Sequence, residues 1–144
     1  MRRSVALAVF AAFTIVGGAF VIAARADTAK KPYVVINGKV NHPVFEGYLR
    51  YGENCMRCHG EDGLGSSYAP SLVDALKHLS YLQFAQTVIN GKKNLGNGME
   101  LVMPAFGLNP DVVNYVSDIY AYLKARSDGA IGRGRPHQLP KKAQ

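Results

Sequence analysis

The chain has two cysteines, Cys55 and Cys58, separated by Met56-Arg57 and followed at once by His59. Two thiols at this spacing can each add to one of the vinyl groups on adjacent pyrroles of a porphyrin. The histidine directly after the second cysteine then lies under the iron as its proximal ligand. Three other chemistries compete for the same residues. A thioredoxin-like dithiol requires a βαβ setting, but an amphipathic helical pattern precedes the pair and a glycine-rich stretch follows it. A structural zinc site needs four ligands, and His42, His78 and His137 all lie far away in sequence. A plain disulfide leaves His59 unexplained. The pentad therefore reads as the attachment site of one haem c, held by Cys55 and Cys58 with His59 on the iron.

A sixth iron ligand decides between electron transfer and an open, reactive iron. Met103 is the candidate, 44 residues after His59 and stiffened by Pro104. Met99 is the rival in the same segment, and Met56 lies too close to the proximal side. The bland alternative is that both methionines only line the pocket, because methionine fills irregular gaps well. A proximal histidine also needs an acceptor for its other ring nitrogen, and Pro70, 11 residues past His59, offers its carbonyl. Lys92, Lys93 and Arg57 either flank the haem rim or are ordinary solvated charges. For acid–base chemistry at an open iron, the segment 91–107 offers only Glu100 and two lysines.

The elements that must position these groups follow from periodicity. Residues 43–52 read as a helix, with Pro43 in its first turn and Val44, Phe45, Tyr48 and Tyr51 at helical spacing. Residues 61–70 form a turn-rich loop. A short helix is expected over 71–78. A second follows Ser80, which with Gln83 makes a capping box, and ends before Gly91. Residues 91–107 read as a long loop carrying both methionines. One further helix starts at Asn109 with Pro110 and Asp111, burying Val112, Val116, Ile119, Tyr120 and Leu123.

Met1-Arg2-Arg3, an apolar run over 4–23 and Ala24-Arg25-Ala26 fit a secretory leader cut after Ala26, or an uncleaved membrane anchor. Either reading puts the domain outside the cytoplasm, in the periplasm, with membrane contact only if the leader is retained. Residues 27–41 read as an extended lead-in, 42–126 as the domain, and 127–144 as a flexible basic Gly/Pro-rich tail. The whole chain carries 17 basic and 10 acidic residues. Without Arg2, Arg3 and Arg25, 14 basic residues face the same 10 acidic ones, a net charge of +4. That excess suits an acidic protein partner, and an exported domain with no long basic stripe is a poor fit to nucleic acid.

At this point the chain resembles a class I cytochrome c over residues 42–126. The pattern comprises Gly47 and Tyr51 on the first helix, the Cys55-to-His59 pentad, Ala69-Pro70-Ser71-Leu72, Met103-Pro104, and a last helix with Tyr120 to Leu123. The resemblance implies an all-α fold whose N- and C-terminal helices cross at Gly47, against Tyr122 or Leu123, around a covalent haem. A narrower likeness covers roughly 55–136, through Gly65 to Leu72, Val102 to Gly107, Asp118 to Arg126 and Gly129 to Pro136. These segments are similar to periplasmic cytochromes that accept electrons from quinoprotein (PQQ-dependent) methanol or alcohol dehydrogenases. The likeness implies a carrier, not an enzyme, that takes single electrons from such a dehydrogenase and passes them to a further cytochrome or an oxidase. Two other functions remain in view: a haem subunit of a larger membrane-bound complex, and a haem enzyme or gas sensor with an open sixth site.

Overall fold

The computed structural model describes residues 30–96 and 99–140; the expected leader over 1–26 lies outside them, as do the side chains of 94–101. Helix α1 (His42–Asn54) begins with Pro43 in its first turn and buries Val44, Gly47 and Tyr51. Its partner is α6 (Val116–Ser127), buried along almost its whole length. The two backbones touch at Gly47, where an added Cβ would lie 1.9 Å from the Asp118 carbonyl oxygen and 2.9 Å from the Ile119 nitrogen. The contact expected against Tyr122 or Leu123 therefore falls about one turn earlier on α6, because backbone approaches backbone with no side chain between. Tyr122 packs beside the crossing instead, edge-on to Tyr48 at 5.5 Å and tilted against Tyr51 at 5.6 Å.

The stripe Val112, Val116, Ile119, Tyr120 and Leu123 is buried throughout, yet it is carried by two helices. Asn109 caps α5 (Pro110–Val113) by accepting from the Asp111 N–H at 3.0 Å. The chain then leaves helical geometry at Tyr115 (φ −119°, ψ 12°) before α6 begins. Arg50 of α1 stacks its guanidinium on the Tyr115 ring at 4.6 Å, a contact between distant residues that periodicity does not register. Between these ends lie α2 (Met56–His59), a single 3₁₀ turn (Glu61–Gly63), α3 (Leu72–Ala75) capped by Ser71, and α4 (Tyr81–Asn90). Both halves of the Ser80–Gln83 capping box are formed.

Two further expectations differ from the structure. The segment read as a long loop is a β-hairpin: β3 (Lys92–Gly96) pairs antiparallel with β4 (Met99–Met103), register running from Lys92 opposite Met103 to Gly96 opposite Met99. Asn97-Gly98, between the strands in sequence, is a strong hairpin signature that a glycine-rich reading passes over. The expected flexible tail is docked over its described part. After α6, the Ala130 N–H donates to the Ala125 carbonyl, and Ile131 and Leu139 are buried. Strand β1 (Val35–Ile36) pairs antiparallel with β2 (Lys39–Val40), and β5 (His137–Gln138) lies parallel to β2 on its other side. The lead-in and the tail thus close on each other as one small sheet. Two isolated apolar anchors, paired backbone groups and polar contacts to Asp62 hold the tail, none of which apolar periodicity could reveal.

Among the described residues no helix is long and apolar enough to cross a membrane.

Candidate functional site

Cys55 ends α1, its N–H still donating to the Tyr51 carbonyl at 2.9 Å, and α2 follows as one turn in which the His59 N–H donates to the Cys55 carbonyl at 3.0 Å. Residues four apart on a helical turn share a face, and Cys55 and His59 line one cleft. Cys58 is exposed, and neither thiol is bridged. Burial, with Cys58 nearby as a smaller contribution, pushes the Cys55 thiol up to about 12.

The proximal loop is folded tightly back on itself. Gly60 follows His59 with φ +74°, and a Cβ there would lie 2.3 Å from the Gly65 carbonyl oxygen; one on Gly65 would lie 2.7 Å from the Ser71 nitrogen. The Gly65 N–H donates to the His59 carbonyl at 2.8 Å, and the Tyr51 hydroxyl donates to the Gly60 carbonyl at 2.5 Å. This closure leaves the Pro70 carbonyl 3.0 Å from His59 Nδ1. A carbonyl only accepts, so Nδ1 carries the proton and Nε2 keeps its lone pair for a metal.

Met103 lines the same cleft, at the end of β4. Its backbone is pinned from two directions. On one side it pairs with Lys92. On the other, the chain beyond it caps α4, the Phe106 and Gly107 N–H groups donating to the Val88 and Ile89 carbonyls, each at 3.0 Å. Gly91 permits the approach: at φ +72°, a Cβ there would lie 2.7 Å from the Met103 oxygen and 2.8 Å from the Ala105 nitrogen. Met99 opens β4 four residues away, and its side chain lies outside the described residues.

Leu72, Leu79, Phe84, Val88, Ile119 and Leu123 complete the walls, with Thr87. Phe84, Thr87, Leu79 and Gly91 were not singled out from the sequence. The available signal was Phe84 on the capped helix, Leu79 directly before its Ser80 cap and Gly91 directly after its last turn. Arg57 is exposed on α2, and Lys92 is exposed where β3 leaves Gly91. The donor set suits a porphyrin: two unbridged thiols and an imidazole nitrogen on one short turn, a thioether on a separate strand, and apolar walls between. Among the described residues no group of three or more His, Cys, Asp or Glu could hold a bare metal ion.

A family model described as cytochrome c oxidase, cbb3-type, subunit III matches residues 43–123, more than half of the chain. The chain belongs to this family of c-type cytochromes. Its cofactor is one haem c, and the chain has a single Cys-x-x-Cys-His pentad to take it. Among similar proteins, cytochrome c-553I of Paracoccus denitrificans is 46% identical over 99 residues, which are 69% of this chain and 44% of that protein. Cytochrome c-555 of Methylococcus capsulatus is 35% identical over 96 residues, covering 66% of this chain and 72% of that one. The crystal structure of the c-type cytochrome XoxG from Methylobacterium extorquens AM1 superposes with a TM-score of 0.67 at 45% identity, over 77% of this chain and 70% of that one. The chain thus spans less than half the length of c-553I. The all-α class expected from the sequence is the one observed, with the two small sheets as additions.

Proposed function

We propose that this cytochrome is a periplasmic one-electron carrier whose iron is ligated by His59 and Met103 and whose haem is held by Cys55 and Cys58. The observation that carries the reading is that His59 and Met103 line one apolar cleft while the Pro70 carbonyl occupies His59 Nδ1. Haem c supplies a ferric/ferrous couple that takes up or gives one electron. The chain's contribution is to keep its ligands in place through that change. Pro70 fixes the tautomer and orientation of His59, and the strand pairing and Gly91 contact fix Met103. A thioether ligand favours the reduced iron and raises the potential. The described residues lining the cleft are apolar apart from His59 and Thr87.

For the donor we propose a quinoprotein (PQQ-dependent) alcohol dehydrogenase, and for the acceptor a downstream cytochrome or an oxidase. The support is the likeness of segments 65–72, 102–107, 118–126 and 129–136 to the acceptor cytochromes of such enzymes. Each two-electron oxidation of an alcohol would then reduce two molecules of this cytochrome, one electron at a time. The matched family's description names an oxidase subunit, which favours a second reading, a haem subunit retained in a larger complex. Stopped-flow mixing of the oxidised holoprotein with an alcohol-charged quinoprotein dehydrogenase tests the donor. Rapid reduction that slows as salt rises is expected. Reduction no faster than that of an unrelated cytochrome of similar potential would remove this donor. An intact N-terminus in mature protein, measured by mass spectrometry, would favour the retained subunit.

A further inference from the structure

Asp62 stands three residues after His59 in the proximal loop, with its side chain only 4% exposed. A buried carboxylate needs partners, and these come from the last turn of α6 and the segment after it. Arg133 Nε donates to its Oδ2 at 3.2 Å, the Gly134 N–H donates to its Oδ1 at 2.9 Å, and an Arg126 terminal nitrogen lies 3.8 Å from Oδ2. Arg126 also ties the two segments, its Nε donating to the Asp62 carbonyl at 3.4 Å and its Nη1 to the Ile131 carbonyl at 3.3 Å. The Arg126 side chain is 6% exposed, whereas that of Arg133 is 68% exposed.

The cluster abuts the cleft. A Cβ on Gly63 would lie 2.9 Å from a methyl of Leu123, Leu123 lines the cleft, and Arg126 follows it by one helical turn. One anion between two cations gives the cluster itself a net charge of +1, with the exposed Glu61 carboxylate beside it in the same turn, and positive charge near an iron that gains an electron favours its reduced state.

We propose that the post-helical segment is a latch on the proximal loop, in which Arg126 and Arg133 clasp Asp62 and together hold the reduction potential up. Asp62 and Arg133 are positioning and potential-setting residues; neither is among the described residues that line the cleft. The inference rests on the assignment of His59 to the iron.

The test is a redox titration of holoprotein carrying Arg133→Gln, Arg133→Lys or Asp62→Asn, each with its oxidised and reduced spectra. Removing one cation should lower the potential, the lysine variant should keep it near wild type, and removing the anion should raise it. The opposed signs separate the idea from simple loosening, which admits water to the site and lowers the potential in both neutralising variants. If Asp62→Asn yields no holoprotein, the contrast between the glutamine and lysine variants decides. A fall in both neutralising variants, equal potentials throughout, or a lysine variant that behaves like glutamine overturns the latch. Failure of the His59 assignment shows differently, as a wild-type spectrum lacking a low-spin histidine-ligated haem.

Discussion

At the scale of single residues, the account turns on which atoms face the cleft. Met103 is held there by a strand partner, by capping donors beyond it and by the clearance at Gly91. Replacing Met103 with Ala should abolish the weak far-red band of oxidised, methionine-ligated haem, and Met99→Ala should leave it. The opposite result would move the ligand four residues along β4. The haem-attachment pentad was legible from spacing alone, because the cysteine separation is dictated by the porphyrin itself. The residues that hold the loop shut were not. Gly60 and Gly65 matter through a closure between residues five and six apart, and the donors to α4 come from a turn that sequence shows only as Phe106-Gly107.

Elements carry the next level of constraint. Helices α1 and α6 meet where Gly47 leaves no room for even a methyl group. Gly47→Ala would set a Cβ 1.9 Å from a backbone oxygen, and neither helix can yield there without moving its neighbours. Overpacking in a tight core costs about 1–3 kcal/mol or more. Thermal unfolding of the holoprotein should show a loss at the upper end of that range. A melting temperature within a degree of wild type would mean that the crossing lies elsewhere. Periodicity identified the buried face of α6 correctly but not the turn at which α1 crosses it. A hydrophobic stripe fixes which side is inward and leaves the axial register open. The split of one expected helix into α5 and α6 has a similar origin. Tyr115 is a tolerable helix residue, and its position beneath Arg50 comes from across the fold. Capping was the reverse case: Ser80 and Gln83 act within four residues, so their reading and their geometry coincide.

For the whole molecule, the segments outside the haem-binding domain form a clasp. Val40, Ile131 and Leu139 are buried, and the Leu139 N–H donates to the Val40 carbonyl at 2.8 Å. Deleting everything after Asp128 removes two of these anchors, each contributing about 1.5–3 kcal/mol when fully buried. The truncated holoprotein should therefore unfold at clearly lower temperature, whereas an unchanged melt would restore the picture of a loose tail. None of this was visible in the sequence, because a clasp built from two isolated apolar residues and a two-residue strand pairing has no local signature. What the whole fold exists to do, on this account, is to keep the iron closed on both faces in both oxidation states. Adding carbon monoxide to the dithionite-reduced holoprotein asks that question directly. The account predicts an unchanged ferrous spectrum at neutral pH; rapid formation of a carbonyl adduct would contradict it, because it would reveal an iron with an open or loosely held sixth position.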